Sequence, residues 1–223
     1  MRFIYLLKGD IKFQFRYGIY FIYAVILLIY AVIIHMVPDA WRFRLGMILV
    51  YSDPAALGMF FMGALILLEK SERALNSIAV SPVTVDEYML SKLGSLGIMS
   101  TLVAELIAIQ CNLGNYLWLG ISVFFASCLF SLLGLLVGSM ISGLNQFTIA
   151  TLPCEILFLL PPIAYLFITP QKWMAVHPGI SSIEFALQGT KGVLYLGILV
   201  LWVAAVYMIT RHFVQKMFAH IAI

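Results

Sequence analysis

Residues 117–141 read LWLGISVFFASCLFSLLGLLVGSMI. The run holds no charged side chain and no proline, and it does not alternate apolar with polar residues. A helix needs about 20 apolar residues to cross the hydrocarbon core of a bilayer. Backbone amides in lipid must find internal partners, so only helices and closed barrels span. Barrel strands alternate with period two, and an unbroken apolar run selects the helix. Working outward, five further apolar runs lie at about 18–37, 47–68, 91–111, 147–169 and 191–210. The chain is 63% hydrophobic and 10% charged, where soluble domains are about half apolar and a quarter charged. A soluble chain of 223 residues would leave too much of that apolar surface in water. The expected fold is an all-α membrane protein with six transmembrane helices in a single domain, 1–223.

The net charge of +3 carries no signal for nucleic acid, and none is expected as a partner. Cys111, Cys128 and Cys154 fall in or at the end of three different runs without Cys-x-x-Cys spacing. They read as apolar packing residues, with no metal site and no disulfide framework. Lys8, Asp10, Lys12 and Arg16 precede a first run that is too long for the core of a signal peptide, so Met1 is the expected start of the mature chain.

Residues 1–17 have a pattern of their own. Phe3, Leu7, Ile11 and Phe15 share one side of a helical wheel, while Lys8, Lys12 and Arg16 recur every fourth residue on another. This predicts an amphipathic helix in the headgroup layer. Residues 11–16 also alternate with period two, but a lone strand beside a bilayer has no pairing partner. With the N-terminus in the cytoplasm, nine cations lie inside: Arg2, Lys8, Lys12, Arg16, Lys70, Arg73, Lys92, Arg211 and Lys216. Four lie outside: Arg42, Arg44, Lys172 and Lys191. The positive-inside rule then places both termini in the cytoplasm.

Between the second and third runs, residues 69–92 read EKSERALNSIAVSPVTVDEYMLSK. Ala74, Leu75, Ile78 and Ala79 form one apolar side of a short helix, with Glu72, Arg73, Asn76 and Ser77 polar. Ser81-Pro82 ends it, because a proline ring disfavours helical geometry in the residue before it. Thr84-Val85-Asp86-Glu87 fits a capping box that restarts a helix. The expected geometry is a short crosswise helix with a firm stop and a capped restart, able to seat in a cleft of another protein.

This segment resembles the coupling-helix region of type-2 ABC transporter permeases. The resemblance is carried by Glu69, Arg73, Ser81-Pro82, Asp86 and Glu87-Tyr88, together with the N-terminal amphipathic helix, six spans and a long segment between the last two. Within that family the chain resembles the small drug-export permeases, including those described for fluoroquinolone export. The resemblance implies a bacterial plasma-membrane permease with a second permease chain, identical or related, and a separate ABC ATPase that binds ATP and Mg. It implies docking through Glu69, Glu72, Arg73, Leu75, Asn76, Ile78, Val80, Ser81 and Pro82. No phosphate loop is present, and Gly189-Thr190-Lys191 lacks the glycine-rich run. Neither catalysis nor a cofactor is therefore expected in this chain. The alternative is the six-helix membrane substrate-binding module of a nutrient importer. Such modules tend to carry a small-residue stripe in the first span, where this chain has Ile22, Tyr23, Ile26, Leu27 and Tyr30.

Three acids fall within apolar runs: Asp53, Glu105 and Glu155. An ionised carboxylate at the bilayer centre costs about 3 kcal/mol or more, so each is a candidate for the substrate path as well as for structural hydrogen bonding. Pro161-Pro162 removes two amide donors and predicts a break in the fifth span. Ile180, Ile183, Phe185 and Leu187 give the next segment an amphipathic pattern, and the resemblance implies short re-entrant outer helices there. Gly134, Gly138 and Ser142 are spaced for close helix packing. The histidines at 35, 177, 212 and 220 are scattered, and no hydrolase or haem pattern is present.

Overall fold

The computed structural model describes residues 2–52, 57–79, 81–167 and 171–221. Asp53, Pro54, Val80 and Pro170 lie outside the described residues. Within them every regular element is helical. The helices are α1 (Arg2–Arg16), α2 (Ile19–Met36), α3 (Asp39–Ser52), α4 (Met59–Ser71), α5 (Ala74–Ala79), α6 (Val85–Cys111), α7 (Tyr116–Met140), α8 (Leu144–Phe167), α9 (Pro178–Gln188) and α10 (Val193–Ile221). Two 3-10 turns, Lys172–Val176 and Gly189–Gly192, bracket α9.

The protein is an all-α membrane protein. Among the described residues, five helical segments are long and apolar enough to cross a bilayer: α2, α6, α7, α8 and the continuous run Pro178–Ala219. The second apolar run is built differently. It is divided between α3 and α4, of 14 and 13 residues, each shorter than a span. Helix α3 already begins at Asp39, which pairs with Arg42 at 2.6 Å. Arg42 and Arg44 therefore sit on a helix and not in a loop. The N-terminal segment is helical, as its four-residue spacing predicts, and Gly18 at φ 71° makes the corner into α2. That left-handed conformation is open to glycine at little cost.

Helix α7 is the centre of the bundle. Of its spanning window, 72% is buried, against 17% for α2 and α8. Small residues let its neighbours approach closely. A Cβ at Gly134 would stand 2.3 Å from the carbonyl oxygen of Met59 on α4, and one at Gly138 would be 3.4 Å from the Cα of Gly63. The spaced glycines thus serve packing within the chain. Hydroxyls supply the polar joints. Ser127 donates to Ser100 on α6 at 3.1 Å, and Ser122 to the Ser182 carbonyl on α9 at 2.6 Å. Thr210 on α10 reaches the Leu132 carbonyl at 3.3 Å.

Helix α8 does not break at its double proline. It continues from Leu144 to Phe167 with Pro153, Pro161 and Pro162 inside. A proline leaves the carbonyl four residues earlier without its amide donor, so Pro161 and Pro162 free those of Leu157 and Phe158. Both find side-chain partners. The Tyr51 hydroxyl on α3 donates to the Phe158 carbonyl at 2.9 Å, and His177 Nε2 lies 3.2 Å from that of Leu157. His177 Nδ1 accepts from the Gly179 amide, which leaves Nε2 as the protonated nitrogen. The expected break is therefore corrected: substituted donors from two other segments keep the helix whole.

These contacts also place α9. Trp202, about 13 Å along α10 from Val193 at 1.5 Å per residue, donates to the Val176 carbonyl at 3.0 Å. At the other end of α9, Asn115 donates to the Leu187 carbonyl and Trp118 packs over Gly189. The chain thus dips beside α10 and climbs back through α9, whose Pro178–Ile183 stretch and Phe185 are buried.

Removing a substituted donor orphans a carbonyl, at about 1–3 kcal/mol where it is buried, as at Phe158. Tyr51→Phe and His177→Ala are each expected to lower the melting midpoint of the detergent-solubilised chain. Tyr195→Phe serves as the control, and a midpoint unchanged in both test variants contradicts this account of α8.

Candidate functional site

The end of the bundle that carries α5 is organised by the start of α6. Thr84 is the N-cap: its hydroxyl accepts from the Glu87 amide at 3.2 Å, and Glu87 Oε2 accepts from the Thr84 amide at 3.0 Å. This is the capping box that the spacing predicts. With the helix start fixed, Tyr88, Ser91, Lys92 and Ser95 fall on one face.

Lys92 is 1% exposed and Glu69 4%, which decides the character of the site: these are internal charges. Lys92 Nζ lies 2.5 Å from Glu69 Oε1, at the end of α4, and 3.0 Å from Asp10 Oδ1 on α1. The Tyr88 hydroxyl donates to Glu69 Oε2 at 2.7 Å, and Ser91 to Asp10 Oδ2 at 2.6 Å. Gln14 on α1 adds a bond to Ser95 at 2.7 Å. Buried carboxylates are tolerated when paired and hydrogen-bonded, and here each carboxylate meets the ammonium and a hydroxyl. Three helices are pinned at one point.

Helix α5 hangs from this point. Arg73 makes the corner after α4 at φ 57°, a left-handed conformation uncommon for a residue with a Cβ. Leu75 is fully buried and holds α5 to the bundle. Ser81 donates to the Ile78 carbonyl and closes the helix. From α1, Arg2 reaches the Pro82 carbonyl at 3.1 Å, and the Tyr17 hydroxyl beyond it bonds Glu72. That bond to a carboxylate raises the Tyr17 phenol above its usual range. A cleft of about 470 Å³ lies between α1 and α5, with Tyr5, Leu6, Ile78 and Val83 among its lining.

Two further ties surround the site. Lys70 Nζ bonds the carbonyls of Gly138, Ser139 and Ile141 at 2.7, 3.0 and 2.7 Å, so a cation caps the carbonyl end of α7. Arg211 on α10 grips Asp86 through Nε at 2.7 Å and Nη2 at 3.0 Å, with Tyr207 donating to the same carboxylate.

The residues expected to dock a partner divide in two. Glu72, Arg73, Asn76 and Pro82 are exposed, with Ile78 and Ser81 half-buried. Glu69 and Leu75 face inward, Glu69 in the ion cluster and Leu75 as the anchor, and Val80 lies outside the described residues. Lys92, counted by sequence among the cytoplasmic-side cations, is internal to the bundle. Sequence reasoning also missed the roles of Asp10 and Gln14 and the Asp86–Arg211 pair, and it named Tyr88 only within the Glu87-Tyr88 motif. The available signal was the 88, 91, 92, 95 face of α6, a polar stripe on a helix that must be buried somewhere. The candidate path acids do not converge here. Glu105 lies in a groove lined by α6 and α7, Glu155 is half-buried on α8, and Asp53 lies outside the described residues. Among the described residues no group of three or more His, Cys, Asp or Glu side chains could hold a metal ion.

Breaking a buried ion pair by removing one partner costs about 3–5 kcal/mol. Lys92→Met, which leaves two carboxylates facing each other, is expected to lower the folded yield and thermal stability sharply. Adding Glu69→Gln and Asp10→Asn should restore much of the loss, because residues in one network are not additive. A triple variant as unstable as Lys92→Met argues against the cluster. Compared with known proteins, the chain matches no family model and no curated sequence.

Proposed function

We propose that this chain is the membrane-spanning permease subunit of an ABC-2 type exporter, driven by a separate ATP-hydrolysing subunit. The observation that carries the proposal is α5: a short helix with one residue buried as an anchor, exposed Asn76 and Ser77 beside Glu72 and Arg73 at its start, packing against α4 and α10, and the Tyr17–Glu72 and Arg2–Pro82 bonds on either side of it. A six-residue helix has too few turns to be stable alone. Held in this way it can pass a displacement to the spans instead of absorbing it. The chain has no phosphate loop of its own, so the energy source belongs to a partner.

In this reading α3 and α4 together make the sixth span, and both termini and α5 face the cytoplasm of a bacterium. Helix α1 lies in the headgroup layer with Lys8, Lys12 and Arg16 toward phosphates. The dip before α9 forms a re-entrant outer gate, and a second permease chain completes the path. The broad apolar faces of α2 and α8, with Phe21, Leu28 and Val32 on the first and Ile149, Ile156 and Leu160 on the second exposed, leave surface for lipid and for that second chain.

Affinity purification of the tagged chain from its native membrane is expected to bring down a phosphate-loop ATPase. The double charge reversal Glu72→Lys, Arg73→Glu should abolish that recovery while the chain keeps its melting midpoint, and Tyr17→Phe separates loss of the internal bond from loss of docking. Absence of any such ATPase overturns the proposal. So does labelling of Asn76→Cys by an impermeant maleimide applied to intact cells, because it would place α5 on the outer face.

A further inference from the structure

Glu105 projects from α6 about 9 Å, at 1.5 Å per residue, before that helix ends at Cys111. It is half-buried, and among the described residues no group hydrogen-bonds or ion-pairs with it. Thr101, one turn away, spends its hydroxyl on the Gly97 carbonyl at 2.8 Å. The acid opens instead into a groove of about 520 Å³ between α6 and α7, whose walls include Ile98, Leu102, Leu117, Ile121, Phe124 and Phe125.

The groove is shaped around the carboxylate. A Cβ at Gly120 on α7 would stand 2.5 Å from Glu105 Oε1, so the glycine leaves the niche that the acid occupies. A Cβ at Gly97 on α6 would stand 2.8 Å from the Phe124 ring, so that ring lies close over the helix and makes one wall. The volume falls in the range of sites for drug-sized molecules, and one polar group in an apolar cleft is their usual composition.

We propose that this groove is a lateral binding site for a lipophilic cation, a hydrophobic amine in its protonated form, with Glu105 as the counter-charge. A carboxylate on a spanning helix needs a cation or a proton. The aromatic walls favour a cation further, since ring faces attract positive charge. A neutral apolar molecule gains nothing from Glu105, and an anion is repelled by it. The site opens on the flank of the bundle, away from the α5 end, so the ligand enters from the lipid. The inference goes beyond the exporter reading and is tested without the ATPase, so the two stand or fall separately.

The test uses the full chain in phosphatidylcholine nanodiscs and the fluorescent amine dansylcadaverine, with its N-acetylated neutral analogue and empty discs as references. The amine should bind saturably, and the neutral analogue about tenfold or more weakly, as expected when an ion pair in low dielectric is lost. Glu105→Gln, which keeps the shape, should weaken the amine by a similar factor and leave the analogue unchanged. Ile121→Trp, which fills the groove and keeps the acid, should abolish binding of both. Glu155→Gln, on α8, should change neither. Equal binding of amine by wild type and Glu105→Gln overturns the proposal. Equal binding of the two probes, or a signal no larger than in empty discs, overturns it as well.

Discussion

The ammonium of Lys92 is the point on which one end of this molecule depends. Taking an ammonium and two carboxylates out of water costs several kcal/mol for each ion. Close contacts offset that cost only when every partner stands in place. Here the partners come from α1, α4 and α6, and Asp10 lies 82 positions from Lys92 in the chain. Any relative shift of these helices strands a charge. The cluster therefore fixes an arrangement more firmly than the same area of apolar packing, which tolerates sliding. Helix α5 sits in the chain between Glu69 and Lys92, and so both its ends are attached to the pinned frame. Its stiffness is borrowed from a buried ion cluster, and its own hydrogen bonds contribute little.

The same requirement, that no polar group be left alone in a low-dielectric interior, shapes the other end. There the groups are carbonyls and not charges. Pro161 and Pro162 uncover two of them, and Tyr51 and His177 cover them again. This converts a local weakness of α8 into cross-links to α3 and to the segment that leads into α9. The rings follow the bonds: Phe158 packs on Phe130, His177 and Trp202 with centroids 6.0, 5.8 and 6.0 Å apart. Freed carbonyls in a membrane helix are acceptable where protein covers them, and here the covering side chains can be named.

What the sequence made legible was whatever depends on near neighbours. The run 117–141 became α7, Tyr116–Met140. Thr84 and Glu87 made their capping box, and Ser81-Pro82 stopped α5. The four-residue spacing of Lys8, Lys12 and Arg16 correctly chose helix over strand. What stayed hidden depends on residues far apart. Tyr51 meets the Phe158 carbonyl across 107 positions, and without that partner the double proline reads as a break. Lys92 looks like any cation beside a span until Glu69 and Asp10 are seen around it. Helix α3 was hidden for another reason: Arg42 and Arg44 dilute the apolar signal where the helix has already begun. The acid Glu105 and its helix were legible, but the groove needs Gly120 from the facing helix.

The two satisfied ends are joined by helices that are themselves closely fitted. Lys70, beside Glu69, caps α7, and α7 carries Ser122 to α9 near its other end. Asp86, two residues before Tyr88 on α6, holds Arg211 of α10, and α10 carries Trp202 to the turn before α9. Both routes run along single unbroken helices between a polar joint at one end and a polar joint at the other. Such a helix transmits displacement along its axis with little loss, because compressing it means breaking its own hydrogen bonds. Helices α2 and α8 turn broad apolar faces outward.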